Sequence, residues 1–334
     1  MFFGEVPLDK ALGAILAHSE AVPGGRLRKG IVLGAEDLAT LRGAGLSRVT
    51  VARLGAGDLG EDEAAGRLAA ALVPDPAGQG LGISPAFTGR VNLNAAIAGI
   101  VELDADAIHR LNLVHPSVTL ATLPHLQRVT PGTLVGTVKI ISYGVEGAAV
   151  EAAAAAARAA LRIRPVQLRE AGLILTDAPG LEPKLIDKGR RAIEARLRAL
   201  GMRLVRVERV PHDVAAIAGA LRGLPGDLAL ILTGTATSDL HDTAPEAVRA
   251  AGGVVHRFGM PVDPGNLLFH GHQGGRPVIG LPGCARSPAL NGADWVLERH
   301  ACGLPPSDAD IAAMGVGGLL KEIPLRPQLR EPKG

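Results

Sequence analysis

The chain has 334 residues, long enough for two or three domains, and its 47% hydrophobic and 20% charged content excludes an intrinsically disordered chain. Its 35 basic and 33 acidic residues give a net charge of only +2, with no long basic block and no aromatic residues interleaved with Lys and Arg, which argues against a nucleic-acid partner. Two cysteines, Cys284 and Cys302, are too few for a zinc knuckle, the start carries acids where a signal peptide needs basic residues, and no apolar run of about 18 residues offers a membrane span, so a cytoplasmic protein without a membrane partner is expected.

In chain order, "LDKALGAILAHSEAV" has helical spacing at Leu8, Leu12, Ile15 and Leu16. Strand, helix and strand signals follow, with a short helix from Asp37 to Leu46 closed by Gly43 or Gly45 and a β-branched strand in "RVTVARL". "GEDEAAGRLAAALV" reads as an amphipathic helix with acids in its first turn, where the helix dipole favours them. Residues 81 to 147 alternate helices ("NLNAAIAGIVEL", "ADAIHRLNLV") with strands ("SVTLATL", "TLVGTVKIIS"), and Gly144 to Leu161 reads as a long Ala-rich connecting helix. Thr88, Gly89, Arg90 and Asn92 form a polar cluster that reads either as a turn or as an anion site, and Lys139 is a lone charge on a strand that reads as lying on the solvent face or else aimed into a cleft, the solvent face being favoured.

From about residue 163 the pattern is regular. The strands "AGLILTD", "RLVRVERV", "DLALILTG", "VVHRFGM" and "PVIGLPG" are separated by helices, except between the last two. That order predicts a doubly wound, mostly parallel sheet with helices on both faces, preceded by a smaller mixed α/β domain. The expected division is 1–162, 163–305 and a tail or linker over 306–334. His270 and His272 fall on one face of a strand, a spacing that suits a metal or a polar hairpin, without an evident third ligand.

In such sheets ligands bind beyond the carboxyl ends of the strands, which is where "LTGTATSDLHDTAPEA" lies. Thr233, Gly234, Thr235, Ala236, Thr237 and Ser238 make a loop of small side chains that lets a ligand approach the backbone. A helix from Thr243 to Gly252 follows, capped by Asp242 or Thr243, with Pro245 in its first turn and backbone N–H groups for a phosphate. Asp239 and Asp242 repel a phosphate unless a divalent cation lies between them, and the alternative is a polar turn with a capping Asp. No nucleophile elbow or Ser/Cys/His set is present.

This stretch resembles the molybdopterin-binding motif of the MoaB/Mog and MoeA family, a TGGTG loop followed by an acid and TPEA. Thr233 and Gly234 match its opening, Asp242 its acid, and Pro245, Glu246 and Ala247 its end. Three more segments match in order: "KLIDKGRRAIEARLRALG" with Asp187, "ERVPHDVAAIAGAL" with Asp213 where the family has "VPDD", and "PVIGLPGCARSPAL" with Pro282 and Gly283. The chain departs from the pattern at Thr235, Ala236 and Thr237, where the loop is bulkier, and at Cys284 and Ala285, which replace Asn-Pro. Asp263 and Asn266 stand where a MoeA-type segment has lysines, leaving Arg286 and His272 as sources of positive charge. The first half is similar to the amino-terminal part of bacterial fusions of a MoeA-like region with a MobA-like nucleotidyltransferase. This chain then either stands alone or is the front of a longer protein.

The resemblance implies handling of molybdopterin, by Mg2+-dependent adenylylation of its phosphate with ATP or by molybdate insertion. Asp242 and Asp213 would hold Mg2+ and act in catalysis. Thr233, Gly234, Thr235, Thr237, Ser238, Asp239, Pro245, Glu246, Pro282 and Gly283 would bind the pterin and its phosphate. The alternative it leaves open is a non-catalytic carrier that delivers the cofactor to a nucleotidyltransferase or a molybdoenzyme. A third reading is an α/β protein for another phosphorylated metabolite. A homo-oligomer is expected, as is common in the family.

Overall fold

The second half of the chain is built on an unbroken apolar strand, Leu228–Leu232, every residue of which is buried. Leu228, Leu230 and Leu232 face one hydrophobic cluster and Ala229 and Ile231 face another, so the sheet is covered on both sides. In the computed structural model, which describes residues 1–178, 180 and 182–320, this strand lies inside a six-stranded sheet. The order across it is Arg203–Pro211, Glu170–Asp177, Leu228–Leu232, Arg276–Leu281, Phe269–Gln273 and Gly253–Phe258. The first three pairings are parallel. The last two are antiparallel, because Phe269–Gln273 returns as a hairpin to Arg276–Leu281 through Gly274 and Gly275, both in the left-handed region.

Helices Pro183–Ala199 and Gly292–Ala301 supply Ile186, Ile193, Leu197, Val296 and Leu297 to one core. Helices Val214–Gly223 and Thr243–Ala250 supply Ile217, Leu221, Ala247 and Val248 to the other. Ile231 is fully buried between Ile174 and Gly280, so Ile231→Ala is expected to cost about 2–5 kcal/mol. Urea unfolding measures it, and an unmoved midpoint would contradict this packing.

Tertiary contacts divide the chain into two units, residues 1–97 with 101–164, and residues 98–100 with everything from Pro165 onward. The first holds an antiparallel three-stranded sheet of Phe2–Pro7, Arg48–Arg53 and Ile15–Leu16, and a four-stranded antiparallel sheet of Val118–Thr122, Leu134–Ile140, Arg90–Ala95 and Leu81–Ile83. Helices Glu61–Leu72, Ala105–Val114 and Gly147–Ala156 share a core with the latter.

Several expectations for this unit fail for local reasons. "NLNAAIAGIVEL" is not a helix but parts of the strands Arg90–Ala95 and Gly99–Leu103. Val91, Leu93 and Ala95 are buried while Arg90, Asn92 and Asn94 are not, a period of two that the alanines disguise. "LDKALGAILAHS" makes only the 3-10 turn Leu8–Lys10, since Gly13 takes φ +73° and the chain then enters a strand. The helix expected over Gly144–Leu161 is confined to Gly147–Ala156. Thr88 and Gly89 occupy the two left-handed positions of a tight hairpin, so this cluster is a turn. Lys139 is half-buried rather than on a solvated face, and its ammonium donates to the Thr88 carbonyl.

Of the tail expected over 306–334, residues 321–334 lie outside the described residues, while 306–320 include the helix Asp308–Ala313 and place Ile311 and Met314 in the core. No helix among the described residues is long and apolar enough to cross a membrane.

Candidate functional site

The parallel strands end together. Thr176 pairs with Val210, Leu175 with Leu232, and Leu232 with Leu281. Loops 233–242 and 282–287 and the short link 212–213 therefore leave the sheet at one end, where a parallel sheet offers its ligand crevice.

Loop 233–242 is held by its own polar groups. The Thr233 hydroxyl, buried at 3% exposure, donates to the Thr235 carbonyl at 2.6 Å. The Asp242 carboxylate accepts from the Ser238 N–H at 2.8 Å and, on its other oxygen, from the Thr243 N–H at 2.6 Å. Those amides, the Ser238 one first, hold its pKa below the ordinary carboxylate value, and the nearby His212 adds to the effect. Asp239 closes a smaller turn by accepting from His241 N–H at 2.8 Å. Glu246 accepts from His241 at 3.0 Å and from Arg249 at 2.6 Å, and the pairing with His241 above all lowers its pKa. Pro245 and Thr237 are buried.

Gly234 crosses the end of strand Glu170–Asp177 at close range, and its N–H donates to the Thr176 hydroxyl at 2.7 Å. A Cβ there would lie 2.7 Å from the Thr176 carbonyl oxygen and 2.9 Å from the Ala178 nitrogen, both backbone atoms. Gly234→Ala is accordingly expected to cost about 1–3 kcal/mol and to displace the loop. Amide NMR shifts over 234–242 together with the thermal midpoint check this, and no change in either would show that the loop yields freely.

Pro282 precedes the 3-10 turn Gly283–Arg286, whose last residue points back to the loop. One nitrogen of the Arg286 guanidinium donates to the Thr233 carbonyl and another to the Gly283 carbonyl at 3.4 Å, while its Nε is buried without a hydrogen-bond partner. Burial lowers its pKa, yet a guanidinium stays charged, so the loop floor carries a cation that, among the described residues, is bonded only to carbonyls. Gly189 of helix Pro183–Ala199 makes room for it, since a Cβ there would meet the Leu232 side chain at 2.8 Å and Arg286 at 3.3 Å. Arg196 of the same helix anchors the turn from below, pairing with Asp294 at 2.5 Å and donating to the carbonyls of Ala285, Ser287 and Ala289.

The structure thus brings Thr233, Gly234, Thr235, Thr237, Ser238, Asp239, Asp242, Pro245 and Glu246 into one loop and helix start, with Pro282 and Gly283 joined to it through Arg286. Asp213 is at the same end of the sheet but exposed, capping helix Val214–Gly223 by accepting from Ala216 N–H at 2.9 Å. Among the described residues no group of three or more His, Cys, Asp or Glu is arranged to hold a metal ion.

The supply of backbone N–H groups for a phosphate is smaller than expected from the sequence. Asp242 takes the Thr243 amide, Pro245 has none, and the Glu246 amide bonds the Asp242 carbonyl, leaving Ala244 as the first-turn amide outside these bonds. His272 does not supply charge to this loop, because it lies on the antiparallel edge and hydrogen-bonds His256 at 2.9 Å.

Two residues of the site carried no signal of their own in the sequence. His212 bridges the Thr176 hydroxyl, 2.9 Å from Nδ1, and the Thr235 hydroxyl, 3.0 Å from Nε2. Its place before Asp213 in "VPHD" is the one hint of His212, and Thr176 reads as an ordinary strand residue.

Comparison with known proteins bears on this domain. A family described as "Probable molybdopterin binding domain" matches residues 172–298, and one described as "Domain of unknown function (DUF8806)" matches residues 5–53. No curated protein matches the chain. Among solved structures it is similar to the molybdopterin biosynthesis MoeA protein from Pyrococcus horikosii, with 14% identity, 91% of this chain and 76% of that one covered, and a TM-score of 0.32. It is also similar to a molybdenum cofactor biosynthesis protein B, with 17% identity, 41% of this chain and 96% of that one covered, and a TM-score of 0.31. The family match by itself supports, over residues 172–298, the resemblance to the MoaB/Mog/MoeA-like molybdopterin-binding family drawn from the loop and its three companion segments.

Proposed function

We propose, from a chain whose residues 172–298 form a molybdopterin-binding-type domain of molybdenum cofactor biosynthesis, that this domain acts on the phosphate of molybdopterin. The active fold is a doubly wound, three-layer MoaB/Mog-like domain over residues 163–305, with 1–162 as a MoeA-like partner region. The observation that carries the reading is the junction of loop 233–242 with Arg286. A backbone crossing too close for a Cβ without displacement lies over a half-buried guanidinium that has no acid partner among the described residues, beside a carboxylate held ionised. Such a floor attracts an anion, and the small side chains of the loop admit a flat ring.

Asp242 and Asp213 offer hard oxygen ligands of the kind Mg2+ takes one or two of while completing its shell with phosphate and water. Both already accept amide hydrogens, but each carboxylate oxygen has a second lone pair. Bound there, the metal would neutralise phosphate charge. Thr235, Ser238 and Arg286 orient the phosphate, while Thr233, Thr237 and Asp239 shape the loop and Pro245, Glu246, Pro282 and Gly283 its walls. Transfer of an adenylyl group from ATP needs positioning and charge neutralisation more than a covalent protein group, which suits a site without a nucleophile.

A carrier that binds the pterin and hands it to a nucleotidyltransferase or molybdoenzyme is the second reading, favoured by the amides that Asp242 and Pro245 remove from the helix start. Incubation with molybdopterin, Mg2+ and ATP, followed by chromatography, separates the two. Adenylylated pterin supports the enzyme, tight binding without product supports the carrier, and absence of binding rejects both.

A further inference from the structure

Thr176 is buried at 2% exposure at the end of its strand, and its hydroxyl oxygen accepts from the Gly234 N–H. A buried hydroxyl must also place its hydrogen. Among the described residues the acceptor within reach is His212 Nδ1, 2.9 Å away. That choice fixes the ring. A neutral imidazole with Nδ1 as acceptor carries its proton on Nε2, which then donates to the Thr235 oxygen 3.0 Å away. Thr235 is exposed, and with its oxygen accepting from the ring its own hydrogen turns outward.

We infer that His212 is a positioning residue in a directional hydrogen-bond relay, Gly234 N–H to Thr176 O–H to His212 to Thr235, which presents the Thr235 hydroxyl as a donor to an anionic oxygen of the ligand. The inference rests on the pterin reading only for the identity of that ligand. The relay itself follows from the burial of Thr176 and the spacing of the two hydroxyls across one imidazole. Chains of this kind polarise each member in the same sense, so the last donor is stronger than an isolated threonine. The bulk that Thr235 adds to the loop thereby becomes a specificity element, favouring a ligand with an oxyanion over an uncharged ring. The opposite tautomer would leave the Thr176 hydrogen buried without an acceptor and turn the lone pairs of Thr235 toward an anion, repelling it.

The test has two arms. Nitrogen-15 NMR of the full chain labelled at histidine, with His212 assigned through His212→Ala, reads the tautomer without any ligand. A proton on Nε2 and a bare Nδ1 are expected, and a proton on Nδ1 overturns the relay. In the second arm molybdopterin is titrated into wild type and variants. Thr235→Val is expected to weaken binding about 10-fold, the usual effect of losing a hydrogen bond to a charged group. Thr235→Ser is expected to restore it. His212→Ala should weaken binding in the same direction, and the double variant no further than Thr235→Val alone. Losses that multiply would mean that the two residues act separately and would overturn the proposal. If wild type fails to bind molybdopterin, the pterin reading fails, and the tautomer alone decides whether the relay stands.

Discussion

On the function proposed above, Asp242→Ala is expected to abolish pterin handling, with a loss on the order of 100-fold in product formation or affinity, because a displaced loop would misalign the groups assigned there to the phosphate. The carboxylate ties Ser238 in loop 233–242 to the start of the helix it feeds, through Ser238 N–H on one oxygen and Thr243 N–H on the other. Its removal also takes away the cap of helix Thr243–Ala250, at a cost of about 0.5–2 kcal/mol. Asp242→Asn separates these roles. Asparagine keeps the helix cap through its one acceptor oxygen but sets its NH2 against the Ser238 N–H, so it removes the charge and one of the two amide bonds, at an expected cost of about 1 kcal/mol. If charge at this position is what positions metal and phosphate, the Asn variant is as inactive as the Ala variant. An Asn variant that works like wild type would reduce Asp242 to a structural cap.

Acid is expected to destabilise this domain through histidines far from that loop. His270 on strand Phe269–Gln273 is 2% exposed with neither ring nitrogen hydrogen-bonded, and His300 on helix Gly292–Ala301 is 5% exposed, with the two rings 5.4 Å apart. Burial pushes the pKa of His270 down to about 4 and that of His300 to about 3, from an ordinary 6.5. His256 lowers both further, Arg257 lowers that of His270, and Asp308 opposes the shift at His270. Both rings are neutral in the folded state, while in the unfolded chain they take up protons below the ordinary histidine pKa. Between those values the unfolded state binds more protons, so stability is fully present above the ordinary pKa and falls as the pH drops through the folded values. For His270 alone the loss is about 3 kcal/mol by pH 4. Thermal midpoints between pH 7 and pH 4 measure it, with His270→Leu as the comparison expected to give a flatter curve. A wild-type midpoint that holds steady down to pH 5, or a variant that falls as steeply, would defeat this account.

The two halves of the chain differ in how far their sequence could be read. In the second, the strands Glu170–Asp177 and Leu228–Leu232 and the helices that follow them show in the sequence because burial on both faces demands continuous apolar strands and amphipathic helices. In the first, short antiparallel strands such as Arg90–Ala95 hide in an alanine-rich stretch, since alanine fits a helix or a half-buried strand alike. The strand at His270 and His272 was legible as a strand or polar hairpin, but its two histidines read as polar while one of them is in the core.

The sequence by itself determined the loop at residues 233–242, a helix cap at Asp242 or Thr243 and its place after a buried strand, because those depend on residue type and local order, and the structure places the cap at Asp242. Its ordered motifs also carried the resemblance that the match over 172–298 supports. Only the tertiary structure decided that Thr176, His212 and Thr235 form one chain of hydrogen bonds, and that Arg286 lies under the loop with no acid partner among the described residues. Thr176 and Thr235 are 59 residues apart along the chain and come within reach of the same imidazole because parallel strands bring their carboxyl ends to one edge. Spacing along a sequence cannot show that pairing, since which strands lie side by side is set by the packing of the whole sheet.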